Sequence, residues 1–171
     1  MSISIRRYQL NKNERKLFFN NVLDKIELDI ESMFRSKPPV EVMEAQKVKV
    51  YVVGGRSLIG ESGGKVFPTL LFEEQLSKQP KVVVDMGAVP YICNKADIMG
   101  PGITEIQGEF KPKNLVTVLD AKNRKPIAVA EAIFDSGTAV MTRKGKLFRN
   151  LHCVGDEIWV IIKEAGKERK S

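Results

Sequence analysis

Between Asn13 and Arg35 the apolar side chains Phe19, Val22, Leu23, Ile26, Ile30, Met33 and Phe34 recur at helical spacing, which predicts an amphipathic helix with one packed face. Asn20, Asp24, Lys25, Glu27 and Glu31 fall on its opposite, solvated face, and Pro38-Pro39 stops the pattern because proline lacks the amide proton a helix interior needs. From Val40 the period becomes that of strands: VEVMEAQ, KVKVYVV, RSLIGE and GKVF are separated by Gln46-Lys47, Gly54-Gly55 and Gly63-Gly64, which read as hairpin turns. PTLLFEEQL, Pro68 to Leu76, predicts a second helix opened by its proline, with Leu70, Leu71 and Leu76 packed. Beyond a connector the chain returns to short strands, KVVVD, IMGPGI, NLVTVLDA, PIAVAEAIF, KLFRNL and EIWVIIK, and ends in a charged tail from Lys163 that is expected to fray. Strands this short, so often cut by Gly, Pro, Asn and Asp, predict a small, nearly closed β-barrel with a helix or two rather than a doubly wound sheet.

At 171 residues the chain has room for one ordinary domain or two small ones. Its 43% hydrophobic and 29% charged residues are the proportions of a globular protein with a real core. No apolar run is long enough to span a bilayer and no signal peptide opens the chain, so a cytoplasmic protein without a membrane partner is expected. Cys93 and Cys153 stand far apart, with neither a CxxC pair nor a disulfide framework, and read as buried thiols. The net charge of +7, spread almost evenly over both halves, favours an acidic partner and requires folding to gather any binding patch.

Candidate chemistry concentrates in VVVDMGAVPYICNKADIMGPGI, Val82 to Ile103. A strand ending at Asp85 and leaving through Gly87 into a helix describes many nucleotide-binding loops, but no GxGxxG follows it, and GESGGKV, Gly60 to Val66, lacks the first glycine and the Ser or Thr of a phosphate-binding P-loop. The single histidine, His152, adjoins Cys153 in an expected strand, where neighbouring side chains point to opposite faces, so the two do not form a nucleophile pair. Asp85 reads as a helix cap rather than a general base. Gly87 and the Gly100-Pro101-Gly102 turn instead suit a backbone that must come close to a ligand, with amides available to phosphate. The acid-free stretch MTRKGKLFR supplies Arg143, Lys144, Lys146 and Arg149, which is either a solvated loop or the cationic side of that site.

VDMGA (Val84 to Ala88), ADIMGPGI (Ala96 to Ile103), PIAVAEA (Pro126 to Ala132), KGK (Lys144 to Lys146) and VGDEIWV (Val154 to Val160) occur in the order found in PUA domains, and the second half of the chain resembles that small RNA-binding barrel. The first half, with VFPTLLFEEQL just ahead of the barrel, is similar to the translation-associated malignant T-cell amplified sequence family, above all its archaeal members. This resemblance implies an α+β fold: a small α/β pre-PUA domain over residues 1–79, a PUA pseudo-β-barrel with short helices over 80–165, and a charged tail over 166–171. It also implies an RNA groove lined by Gly87, Ala88, Lys95, Ala96, Asp97, Ile98, Met99 and Pro101, flanked by Arg143, Lys144, Gly145, Lys146 and Arg149. Lys95-Ala96 stands where PUA domains commonly read Gly-Ala, and Val129-Ala130 where they read Val-Gly, the second a change of packing.

By the same resemblance the expected function is non-enzymatic, translation-associated binding of structured RNA such as the tRNA acceptor end, on the small ribosomal subunit, with a density-regulated-protein-like partner possible and no metal or cofactor. Two alternatives stand beside it. One is an RNA-targeting module that works with a separate RNA-modification enzyme. The other is a protein-interaction scaffold whose KVKVYVVGG segment offers an edge strand.

Overall fold

The computed structural model describes residues 3–26, 33–34 and 37–170. The first half is one antiparallel sheet in which β1 (Arg6–Gln9), β2 (Val40–Ala45), β3 (Val48–Val53), β4 (Arg56–Ser62) and β5 (Lys65–Pro68) lie in chain order. The expected turns are all present: Gly54, Gly55, Gly63 and Gly64 have positive φ, as does Gln46. At Gly54 a Cβ would stand 2.5 Å from the Phe34 ring, so that turn needs glycine for space as well as for its backbone angle.

Helix α1 (Lys12–Lys25) opens on a reciprocal capping box between Asn11 and Glu14. It ends earlier than its periodicity suggests, because Ile26 is extended and turns its side chain into the core at 1% exposure. Residues 27–32 and 35–36 of the expected helix lie outside the described residues. Phe18, not Leu23, completes its packed face, Leu23 being 41% exposed. Helix α2 (Glu73–Lys78) starts later than its proline suggests: Pro68 still belongs to β5, and Leu71 faces solvent.

The second half is a curled six-stranded sheet of β6 (Lys81–Val84), β7 (Ile98–Met99), β8 (Ile103–Gln107), β9 (Leu115–Asp120), β10 (Pro126–Ala132) and β11 (Lys146–Cys153), in the order β7-β11-β10-β9-β6-β8. Among the described residues only β6 and β9 pair in parallel. Val82, Val84, Ile98, Val116, Val118, Ala128, Ala130 and Phe148 fill the barrel. Ala130 is fully buried beside a register shift in β10, so the Val129-Ala130 step is a matter of barrel packing. Two short helices, α3 (Val89–Ile92) and α4 (Ser136–Met141), pack on its core through Ile92 and Ala139; Pro90 sits in the first turn of α3, and Asp85 Oδ1 accepts the Ala88 amide at 2.8 Å.

EIWVIIK is not a strand. It opens α5 (Glu157–Lys170), which remains helical where a frayed tail was expected. Asp156 caps it by accepting the Trp159 amide at 2.8 Å, and Ile158, Ile161, Ile162 and Ala165 form one buried stripe. That stripe packs on Met43, Val50 and Phe67 of the first sheet and on Val129 of the barrel, while Phe18, Phe19 and Val22 of α1 share a separate core with Val40, Leu58 and Ile59. The first sheet is thus covered on both faces, which explains its nearly continuous apolar strands.

His152 ties the halves together. Its Nε2 accepts the Leu70 amide at 3.2 Å, so Nδ1 carries the proton and donates to Asp156 Oδ2 at 2.8 Å. Burial alone would raise the Asp156 carboxyl, but its bonds from His152 and from the Trp159 and Cys153 amides hold it below the usual aspartate range. The one histidine is therefore a packed structural residue. Cys153 is buried as expected, whereas Cys93 is only half-buried.

Candidate nucleic-acid interface

Three segments meet at one end of the barrel. The exit of β6, Asp85 to Ala88, is tied to the Gly100-Pro101-Gly102 turn by a bond of 2.9 Å from the Asp85 amide to the Gly102 carbonyl. That turn is tied to the basic hairpin by a bond of 2.8 Å from the Gly100 amide to the Gly145 carbonyl, and β7 pairs with β11 so that Met99 faces Lys146. A Cβ on Gly100 would lie 2.8 Å from the Arg143 and Lys144 backbone. Glycine is what allows the turn to lie against the hairpin.

The cations of this hairpin are not equivalent. Lys146 pairs with Asp97 at 2.9 Å and Arg149 with Glu131 at 3.5 Å, whereas Arg143 and Lys144 have no ion-pair partner among the described residues. Both are exposed. The amides of Met86 and Gly87, at the strand exit, likewise make no hydrogen bond among the described residues. Met86 and Met99, on these segments, and Tyr91 and Met141, close to them in the chain, are 44%, 48%, 71% and 85% exposed. Two uncommitted cations, two uncommitted amides and a rim of soft apolar side chains can hold a phosphate and pack the flat face of a base.

Asp97 is an organiser of this surface. Its Oδ1 accepts the Asn150 amide at 2.9 Å, and the Asn150 side chain donates to the carbonyls of Ile92 at 3.0 Å and Ala96 at 2.9 Å, fixing the loop between α3 and β7. Partial burial pushes the Asp97 carboxyl up, but the Asn150 amide and Lys146 outweigh it and hold it below the usual range.

Lys95, which stands where the PUA pattern has glycine, adopts φ +74°. The family's glycine has a backbone reason here, and Lys95 accepts the strained conformation. Its ammonium pairs with Glu157 of α5, which holds the lysine above its usual pKa, so the side chain turns toward the helix and away from the hairpin. Ile98 is 1% exposed and serves the barrel core. Gly87, Ala88, Met99, Pro101, Arg143, Lys144 and Gly145 lie on the three joined segments, and Ala96 and Asp97 lie in the loop that leads into β7. Sequence reasoning passed over Met86, Met141 and Asn150. The signal for Asn150 was the one amide side chain in the middle of β11; for the methionines there was only their position inside the two motifs.

Residues 80–154 match the PUA domain and residues 6–74 match a domain of unknown function, DUF1947. The chain is 34% identical over 149 residues to an uncharacterized protein of Methanocaldococcus jannaschii, covering 86% of this chain and 87% of the other. It is 27% identical over 143 residues to translation machinery-associated protein 20 of Saccharomyces cerevisiae, covering 79% of each. The crystal structure of a PUA domain from Aeropyrum pernix in complex with tartrate superposes with a TM-score of 0.79 at 24% identity, over 95% of this chain and 94% of that one. Among the described residues no helix is long and apolar enough to cross a membrane.

Proposed function

Because the chain belongs to the PUA family of translation-associated proteins that includes translation machinery-associated protein 20 and the malignant T-cell amplified sequence proteins, we propose that it binds structured RNA through a single-stranded end. The tRNA acceptor end on the small ribosomal subunit is the target we infer. A PUA domain is an RNA-binding module, and the observation that carries the finer reading is the meeting of unpaired Arg143 and Lys144 with the free Met86 and Gly87 amides beside exposed Met99 and Tyr91. A duplex has its bases stacked inside and offers nothing to the apolar rim, whereas a terminal nucleotide can place its phosphate on the cations and its base on the methionines. The role we infer is that of a binder, as expected of a PUA domain. A density-regulated-protein-like partner belongs to the same proposal.

The test is fluorescence anisotropy of the full chain with intact transfer RNA and with the same RNA lacking its terminal CCA. Tighter binding of the intact form is expected. Equal binding of both refutes recognition of the acceptor end, and a stable complex with an RNA-modifying enzyme would favour a targeting role instead.

A further inference from the structure

In the barrel sheet β6 lies between β8 and β9, so its exit has two flanks. On the β8 side the exit is joined to the Gly100-Pro101-Gly102 turn and, through that turn, to the basic hairpin. On the other side β6 and β9 run in parallel with Val84 opposite Asp120, and the Ala121 amide donates to the Val84 carbonyl at 2.9 Å. The turn from β9 to β10, Ala121 to Lys125, therefore leaves the barrel beside Asp85 and the amides of Met86 and Gly87. Its residues are all exposed, and three of the five are cations: Lys122, Arg124 and Lys125.

Local bonds hold this turn in one shape. Asp120 Oδ1 accepts the Asn123 amide at 2.6 Å and Oδ2 accepts the Lys125 amide at 3.3 Å, and these amides keep the carboxyl below its usual range. The backbone closes through the Arg124 amide on the Asp120 carbonyl at 2.9 Å and the Asp120 amide on the Lys125 carbonyl at 3.2 Å. Arg124 takes the left-handed conformation that reverses the chain, at φ +54°. Its guanidinium donates twice to Glu105 Oε2, at 3.2 and 3.3 Å, which fastens the turn to β8.

These contacts commit the acids and leave two cations over. Asp120 answers backbone amides and Glu105 answers Arg124, whereas Lys122 and Lys125 have no ion-pair partner among the described residues. The exit of β6 thus stands between two pairs of uncommitted cations, Arg143 and Lys144 beyond one flank and Lys122 and Lys125 on the other. Neighbouring strands lie about 4.8 Å apart, so the backbones on the two flanks of β6 are about 10 Å apart. On the segment between them are the Met86 and Gly87 amides, which make no hydrogen bond among the described residues, and the exposed Met86 side chain.

We propose that the β9–β10 turn is a second cationic wall of the RNA groove: a single strand gripped by Arg143 and Lys144 crosses the β6 exit and sets further phosphates on Lys122 and Lys125. This rests on the RNA reading of the hairpin and extends it to residues outside every motif that suggested that reading. The partner that fits is a chain of phosphates, because an isolated phosphate can engage one wall only. No large apolar side chain of the turn is exposed, so the second wall contributes charge, and the base faces pack on the methionines. A turn already fixed by Asp120 and Arg124 loses little freedom when the strand arrives, which favours binding.

Salt titrations of anisotropy, with the full chain and a fluorescent single-stranded dodecaribonucleotide ending in CCA, test it. Lys122→Gln with Lys125→Gln should lower the slope of log affinity against log salt by about 1.4, which is about 25-fold in affinity at 0.1 M salt. Neither lysine side chain makes a hydrogen bond or ion pair within the turn among the described residues, so the thermal unfolding of this variant should match that of the parent. Lys12→Gln with Lys16→Gln, on the exposed face of α1, removes the same charge from the first half and should leave the slope where it was. A slope lowered by the turn variant and not by the α1 variant supports the second wall. An unchanged slope in the turn variant, with the slope lowered in Arg143→Ala with Lys144→Ala, overturns the second wall and leaves the hairpin reading standing. Equal losses in the turn and α1 variants overturn it in favour of diffuse attraction, and unchanged slopes in both the turn and the hairpin variants overturn it together with the hairpin reading.

Discussion

Replacing Arg143 and Lys144 together by alanine gives the sharpest account of the hairpin. These are its two exposed cations without an ion-pair partner among the described residues, whereas Lys146 is offset by Asp97 and Arg149 shares Glu131 with Lys65. Each phosphate contact on single-stranded nucleic acid contributes about 0.7 to the slope of log affinity against log salt, so losing two lowers the slope by about 1.4. At 0.1 M salt that counterion term alone corresponds to about 25-fold in affinity, roughly 2 kcal/mol. Between 50 and 200 mM salt the variant's binding should fall about sevenfold less than that of the parent. The control is Asp97→Asn with Lys146→Gln, which removes a neutral pair, keeps an oxygen for the Asn150 amide and should leave the slope where it was. Anisotropy titrations of one fluorescent RNA at four salt concentrations measure all three proteins. An unchanged slope in the Arg143→Ala, Lys144→Ala protein, or an equal loss in the control, refutes the reasoning that uncommitted charge marks the phosphate track.

Gly100→Ala should cost about 1–3 kcal/mol in urea unfolding, because its Cβ would stand 2.8 Å from the Arg143 and Lys144 backbone, which must shift; a neutral result would show that the hairpin is free to move. Lys95→Gly should leave stability within about 1 kcal/mol, since relief at φ +74° offsets the exposed Glu157 pair, while Lys95→Val should cost about 1–2 kcal/mol because a branched side chain resists that conformation. The Asp97 carboxyl has its folded pKa below the ordinary value of 3.8, so its contribution is complete above that pH and is lost as pH falls through the lower folded value. Hydrogen exchange at the Asn150 amide should accelerate over that acid window and be unaffected near neutrality.

Most strands of both sheets were legible because their period and glycine turns are local properties, although IMGPGI, read as one strand, is β7, a tight turn and the start of β8. So was the cationic stretch, since it needs only composition. What sequence could not supply was which charges are already paired: Asp97 meets Lys146, and Lys95 leaves the groove for Glu157, through contacts made far along the chain. Strand β1 escaped notice because it is mostly exposed and carries no alternation. EIWVII misled by its β-branched content, although Asp156 followed by Ile158, Ile161, Ile162 and Ala165 held the signal of a capped helix. Tertiary packing against the first sheet decided that segment over its local preference.

The position of α5 also sets an order of events during synthesis. The first sheet leaves the ribosome early, yet Met43, Val50 and Phe67 find their covering stripe only in Ile158, Ile161 and Ile162, which are made after the whole barrel. Chains grow from the amino end and their domains tend to fold as they emerge, but this first half cannot bury its second face while the rest is still being translated. Its nascent form carries an uncovered apolar surface for the duration, a natural target for holding chaperones, and the two halves reach their native state together once α5 has emerged.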